Sequence, residues 1–198
     1  MKSYLITHPA WLRTTHWLNV LAFVLMVMSG WRIYNASPLF PNFTFPVDIT
    51  LGGWLGGALL WHFAAMWLLV ANGLLYLIWS LATGRFRRQL RPPAPAQLFA
   101  DIAAAARGRL SHDDLTHFNA IQKLAYLIAI AALILIVLSG LVVFKSVQFP
   151  LLRELLGGYD SARFVHFFCM ATLVSFLAVH LLAALFVPKT IVAMIRGY

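Results

Sequence analysis

The sequence predicts an all-α membrane protein built on four spanning helices. Three observations predict this. Hydrophobic residues make up 62% of the 198 and charged residues only 11%, where a soluble domain carries roughly 25% charged. Mean hydropathy is +0.82, and the apolar residues fall into four runs, each long enough to cross a bilayer, rather than into one core. The basic residues collect in the connections between those runs.

The first span is expected over 11–34. It is too long for a signal-peptide core and no small-residue cleavage pattern follows, so it reads as an uncleaved helix. The connection after it, Asn35 to Pro46, holds three prolines and three phenylalanines. Proline excludes a regular helix there, and the aromatics suit either a lipid headgroup belt or a docking partner. The second span is expected over 53–81, the third over 119–144 and the fourth over 162–187, all in one domain.

The connection 82–118 opens on Arg85, Arg87, Arg88 and Arg91, and Pro92-Pro-Ala-Pro95 interrupts any helix. Gln97–Leu110 places Leu98, Ile102, Ala106 and Arg109 on one face, the pattern of a short interfacial helix. Ser111-His-Asp-Asp114 fits a capping box, so a helix leading into the third span is expected to start near His112.

The net charge is +9 and the pI about 10.3. In a soluble protein that would suggest nucleic acid; here its distribution is a topology signal and no nucleic-acid partner is expected. Arg85, Arg87, Arg88, Arg91, Arg107 and Arg109 lie between the second and third spans. Lys2 and Arg13 flank the first span, and Lys189 and Arg196 follow the fourth. Residues 36–52 contain no Lys or Arg and one acid, Asp48. The positive-inside rule then puts both termini and the long connection in the cytoplasm, an N-in/C-in arrangement in a bacterial inner membrane.

Four histidines fall inside the runs: His16, His62, His166 and His180. His166 and His180 are fourteen residues apart, which on a helix is about 21 Å of rise and nearly whole turns, so they share a face at two depths. With the expected topology, His16 lies at the depth of His180 near the cytoplasmic side, and His62 at the depth of His166. Imidazole is the usual ligand of haem iron, and a b haem held between helices takes one from each side. The pairs His16/His180 and His62/His166 therefore suggest two b haems stacked across the membrane. A single intramembrane histidine also serves packing or proton transfer. A transporter, however, would usually carry Asp or Glu in its interior, and the central parts of the four runs have none. A structural zinc site would gather its ligands at one level. Cys169 is the sole cysteine, so no internal disulfide forms, and without Cys-x-x-Cys-His there is no c-type haem attachment.

A weak internal similarity relates Met28-Ser-Gly30 to Leu138-Ser-Gly140 and sets Arg13 opposite Lys123. Glycine at such depth admits a neighbouring helix or a flat ring. Haem propionates favour Arg or Lys at the membrane edge. Arg13, on the face of His16, and Lys123 are candidates at the inner level; Arg32, Lys145 and Arg163 are candidates at the outer. Simple snorkelling explains each equally well. His8, His112 and His117 lie outside the runs as surface residues, with His117 close enough to the inner level to shuttle protons.

Four spans with these histidines resemble the di-haem cytochrome b superfamily, which includes bacterial cytochrome b561, the cytochrome b of nickel-iron hydrogenases and the gamma subunit of formate dehydrogenases. Phe118-Asn-Ala-Ile-Gln-Lys-Leu-Ala-Tyr126 is similar to the segment opening the third span in formate dehydrogenase gamma and thiosulfate-reductase-type cytochromes. The resemblance implies electron transfer between ubiquinone or menaquinone and a redox partner at the outer face, such as a molybdopterin oxidoreductase or a hydrogenase. It also implies a quinone site near the inner haem, where Asn119, Gln122 and His117 offer donors and acceptors. The chain lacks iron-sulfur and nucleotide motifs, so substrate chemistry is expected on another subunit. Two other classes stay open at this point: a self-sufficient superoxide:quinone oxidoreductase of the b561 type, and a haem-free transporter. A homo-oligomer is also open.

Overall fold

A computed structural model describes residues 9–84, 86–87, 91–107 and 118–197 of the protein. Among them every regular element is helical. Helices α1 (Ala10–Ala36), α2 (Leu55–Ala82), α4 (Ala120–Lys145) and α6 (Tyr159–Phe186) are each long and apolar enough to cross a membrane. Their bounds depart from the expected spans by one to three residues. Three shorter helices accompany them: α3 (Pro95–Ala106), α5 (Pro150–Leu155) and α7 (Pro188–Arg196). All three begin on proline, which lacks the N–H that a first helical turn leaves unsatisfied anyway.

Helix α3 falls where a short helix is expected over Gln97–Leu110 and ends at Ala106; Arg109 lies outside the described residues, as do Arg85, Arg88, Lys2, His8, His112 and His117. The Ser111–Asp114 capping box lies outside them too. A helix running on from His112 into the third span is corrected by Phe118 and Asn119, which are not helical. Helix α4 has its own start. Asn119 Oδ1 accepts from the Gln122 amide at 2.8 Å and Gln122 Oε1 accepts from the Asn119 amide at 3.1 Å, a complete capping box. Asp101 of α3 accepts from the Ala120 amide at 2.7 Å, placing a carboxylate at the positive end of α4.

The contacts divide the chain into two compact units. One comprises residues 9–79, the other 80–197. In the first, α1 and α2 run antiparallel. Trp11 meets Tyr76 and Trp79 at one end, Asn72 bonds to Thr15 and Asn19, and at the far end the Leu51 amide donates to Met28 and Arg32 to Gly53. The proline-rich connection folds back on the end of α1. Phe45 stacks on Trp31 at 4.6 Å, and its backbone exchanges two hydrogen bonds with the Asn35 amide group. Phe45 and Phe43 both meet aromatic rings of α1, Phe43 edge-on to Tyr34, while Phe40 and Phe43 remain partly open to the surroundings. In the second unit α4 packs along α6, with α3 and α5 against α4 and α7 against α6. Pro188 ends α6, since its ring cannot continue the α-helical hydrogen-bond ladder, and the chain turns into α7.

Candidate haem-ligand site

In the first unit the His62 ring lies against Ser29 and Gly30 of α1. Ser29 Oγ is 3.1 Å from His62 Nδ1, and a Cβ at Gly30 would come within 3.3 Å of His62 Cε1. In the second unit the His166 ring lies against Ser139 and Gly140 of α4. Ser139 Oγ is 3.2 Å from His166 Nδ1, and a Cβ at Gly140 would come within 3.1 Å of His166 Cε1. The repeated Ser-Gly is thus a seat for an imidazole in each unit. The ring that the glycine admits is the histidine itself.

These contacts decide which ring nitrogen holds the proton. The Ile136 carbonyl, an acceptor only, lies 3.0 Å from His166 Nδ1, so Nδ1 carries the hydrogen. Ser29 donates its hydroxyl to the Leu25 carbonyl at 2.5 Å, so its oxygen accepts from His62 Nδ1. Ser139 likewise donates to Leu135 at 2.7 Å. In both rings the lone pair then falls on Nε2. An imidazole held through Nδ1–H by a carbonyl or hydroxyl is the usual form of a metal-ligating histidine. Each ring therefore presents an Nε2 donor of the kind that fits a haem iron.

His180 has a different setting. Phe176 stacks on it at 5.8 Å and 14°, and Tyr126 of α4 stands edge-on at 6.5 Å. Tyr126 also contacts Phe176 and Phe118. Tyr126, the last residue of the Phe118–Tyr126 segment, therefore lies beside His180. His16 faces Trp17 edge-on at 5.3 Å. All four histidines are half-buried.

Spacing within each unit is informative. His62 sits opposite Ser29, thirteen residues along α1 from His16, about 20 Å of helical rise. On α4, Tyr126 beside His180 and Ser139 beside His166 are also thirteen apart. Each unit separately holds its two histidines at two levels with the same separation.

Other expected residues are placed as follows. Arg13 lies three residues before His16 on α1, and Lys123 in the first turn of α4, both half-buried. Arg32 donates to the Gly53 carbonyl, and Lys145 lies over the Phe144 ring at 4.7 Å. Asn119 and Gln122 use their amide oxygens in the cap, which leaves the two NH2 groups outside the capping box. Among the described residues no three His, Cys, Asp or Glu side chains gather as a metal site.

Sequence reasoning missed Asn72, Tyr126 as a neighbour of His180, and the two serines as partners of histidine. A lone asparagine inside an apolar run was the available signal for the first. The Ser-Gly repeat was the signal for the serines.

The family model described as prokaryotic cytochrome b561 matches residues 7–197. A relative from Azospira oryzae is 59% identical over 197 residues, covering 100% of this chain and 99% of its own length. It bears the name "Putative protein-methionine-sulfoxide reductase subunit YedZ1".

Proposed function

The chain belongs to the prokaryotic cytochrome b561 family, a multi-pass membrane electron-transfer protein of the bacterial inner membrane, and on that premise we propose that it holds two b haems and links the quinone pool to a redox enzyme outside the membrane. His16 and His180 would hold one haem, and His62 and His166 the other. The observation that carries this is the matched separation of two histidine levels in each unit. A b haem bound at each level supplies a one-electron carrier. The four spans act as one domain with both termini in the cytoplasm, which the arginines of the long connection support.

The residues divide the remaining work. Ser29, Ser139 and the Ile136 carbonyl orient imidazoles. Arg13 and Lys123 offer cations toward propionates near the membrane edge. Asn119 and Gln122, at the start of α4 near the level of Tyr126 and His180, present amide donors to a quinone carbonyl, with His117 as a proton carrier on the same side. The relative's printed name makes it a reductase subunit. By that likeness the partner here is an extracytoplasmic reductase acting on oxidised methionine, and electrons run outward from quinol. The full-length match to a subunit favours this over self-sufficient superoxide chemistry.

Haem content by pyridine haemochrome against protein mass tests the stoichiometry. Two per chain is expected, and one or none overturns the reading. Reporter fusions after Tyr198 and within Pro92–Pro95 should both report cytoplasm; an outward signal from either overturns the topology.

A further inference from the structure

The Ser-Gly repeat does more than leave room. In each unit the serine hydroxyl donates to its own helix, Ser29 to Leu25 and Ser139 to Leu135, and turns a lone pair to the Nδ1 of a histidine on the neighbouring helix. Both serines are fully buried. The glycine that follows each serine lies against Cε1 of the same ring. Two independent pieces of chain thus hold two imidazoles by the same three-part device: a hydroxyl at Nδ1, a glycine at Cε1, and a helix carbonyl that fixes the hydroxyl's direction.

The other level lacks this equivalence. The alignment that matches Ser29 with Ser139 matches His16 with Tyr126. One helix carries a histidine where its counterpart carries a phenol, and the second histidine, His180, comes from α6. The internal repeat therefore survives as function at the Ser-Gly level alone.

We propose that Ser29 and Ser139 are positioning residues, a duplicated device in which each serine orients the imidazole it touches and sets the potential of the haem that imidazole ligates. This rests on the reading that His62 and His166 ligate one iron. A hydroxyl accepting from Nδ1–H makes the imidazole a stronger donor at Nε2, which favours the ferric state. Removing the hydroxyl therefore raises the potential. The rise is smaller for Ser139, because the Ile136 carbonyl also holds Nδ1 of His166.

The test uses the full haem-loaded chain in detergent, with Ser29→Ala, Ser139→Ala and the double variant. Alanine favours the helix and removes a single oxygen, so folding is expected to persist. Redox titration should show the same haem component rising in each variant, and its ferric low-spin resonance changing. The expected size for Ser29→Ala is up to tenfold in the ferric-to-ferrous preference, about 59 mV for a one-electron couple. Ser139→Ala should shift it less, and the second component should stay in place. Ser29→Thr, which keeps a hydroxyl, should restore the potential. Unchanged potentials and resonances at full haem content overturn the proposal, as does a loss of thermal stability alone. His62→Ala and His166→Ala separate the two failures. If these remove one shared component and the serine variants leave it unmoved, the proposal alone fails. If they remove different components, the ligand reading fails and takes the proposal with it.

Discussion

Tyr126 stands edge-on to His180, ring centroids 6.5 Å apart, and thirteen residues further along the same helix Ser139 meets His166. Helix α4 carries none of the four histidines, yet it touches both that α6 presents. It acts as a backing surface: an aromatic contact at one level, a hydrogen bond at the other. Its first turn also carries the Asn119/Gln122 cap, so the residues proposed for quinone chemistry and Tyr126 beside His180 belong to one helix.

The pairing of ligands is open to direct measurement. His16→Ala and His180→Ala should each eliminate one spectral component and leave the second. His62→Ala and His166→Ala should each eliminate the second. Redox-resolved difference spectra distinguish the components. Loss of the same component from His16→Ala and His62→Ala would break the pairing.

Glycine substitutions should act on the rings rather than on the fold. A methyl at Gly140 would press on His166 Cε1 from 3.1 Å, and one at Gly30 on His62 Cε1 from 3.3 Å. Each ring must yield by a few tenths of an ångström while its Nδ1 bond holds it back. Alanine in place of glycine favours a helix by about 1 kcal/mol, so the apoprotein should gain or keep stability. Haem retention at that level should fall by roughly tenfold, more for Gly140→Ala than for Gly30→Ala. Haem content and thermal melting, measured on the same samples, should therefore move apart. Normal haem content in both variants would contradict the account of these seats.

Asn72 is the polar clamp of the first unit. It is 3% exposed, and its amide donates to the Thr15 carbonyl at 2.7 Å and to Asn19 Oδ1 at 2.6 Å. Both acceptors lie within three residues of His16 on α1. Bonds of this kind between membrane helices are worth about 0.6 kcal/mol on average and up to about 1.7. Asn72→Leu should destabilise by about that range in detergent unfolding. The double variant with Asn19→Leu should cost less than the sum of the single ones, because both remove one shared bond. Full additivity would show that the Asn72–Asn19 bond contributes nothing.

The long helices were legible because span length and hydropathy are properties of a continuous run, and the structure moves their ends by three residues at most. The shared face of His166 and His180 was legible through helical spacing, and both rings meet α4. What lay opposite them was not. Met28-Ser-Gly30 and Leu138-Ser-Gly140 show a small residue in sequence, but only packing reveals that an imidazole occupies the space. Helices α5 and α7 went unpredicted because both are short and sit next to a long apolar run whose signal overwhelms theirs. Pro150 and Pro188, each at a first helical position, were the available marks. In sequence Asn119 and Gln122 present themselves as donors and acceptors for a quinone, and the reciprocal cap is a local reason for both to stand there.

That cap changes how the quinone site must be tested. Leucine at either position would remove a capping oxygen and cost about 1 kcal/mol at the start of α4, so slower quinol oxidation could reflect a frayed helix. Substitutions that keep the oxygen and delete the NH2 avoid this. Asn119→Ser retains an N-cap acceptor, and Gln122→Glu retains the reciprocal acceptor of the box. Both should preserve the two haem spectra and the melting temperature. If the amide donors bind a quinone carbonyl, each variant should slow haem reduction by added quinol about tenfold, the loss expected for one hydrogen bond of roughly 1.4 kcal/mol. Reduction by dithionite should be unaffected, because it does not need the site. Normal quinol kinetics in both variants, with the cap intact, would confine Asn119 and Gln122 to starting the helix and move the quinone site elsewhere in the membrane.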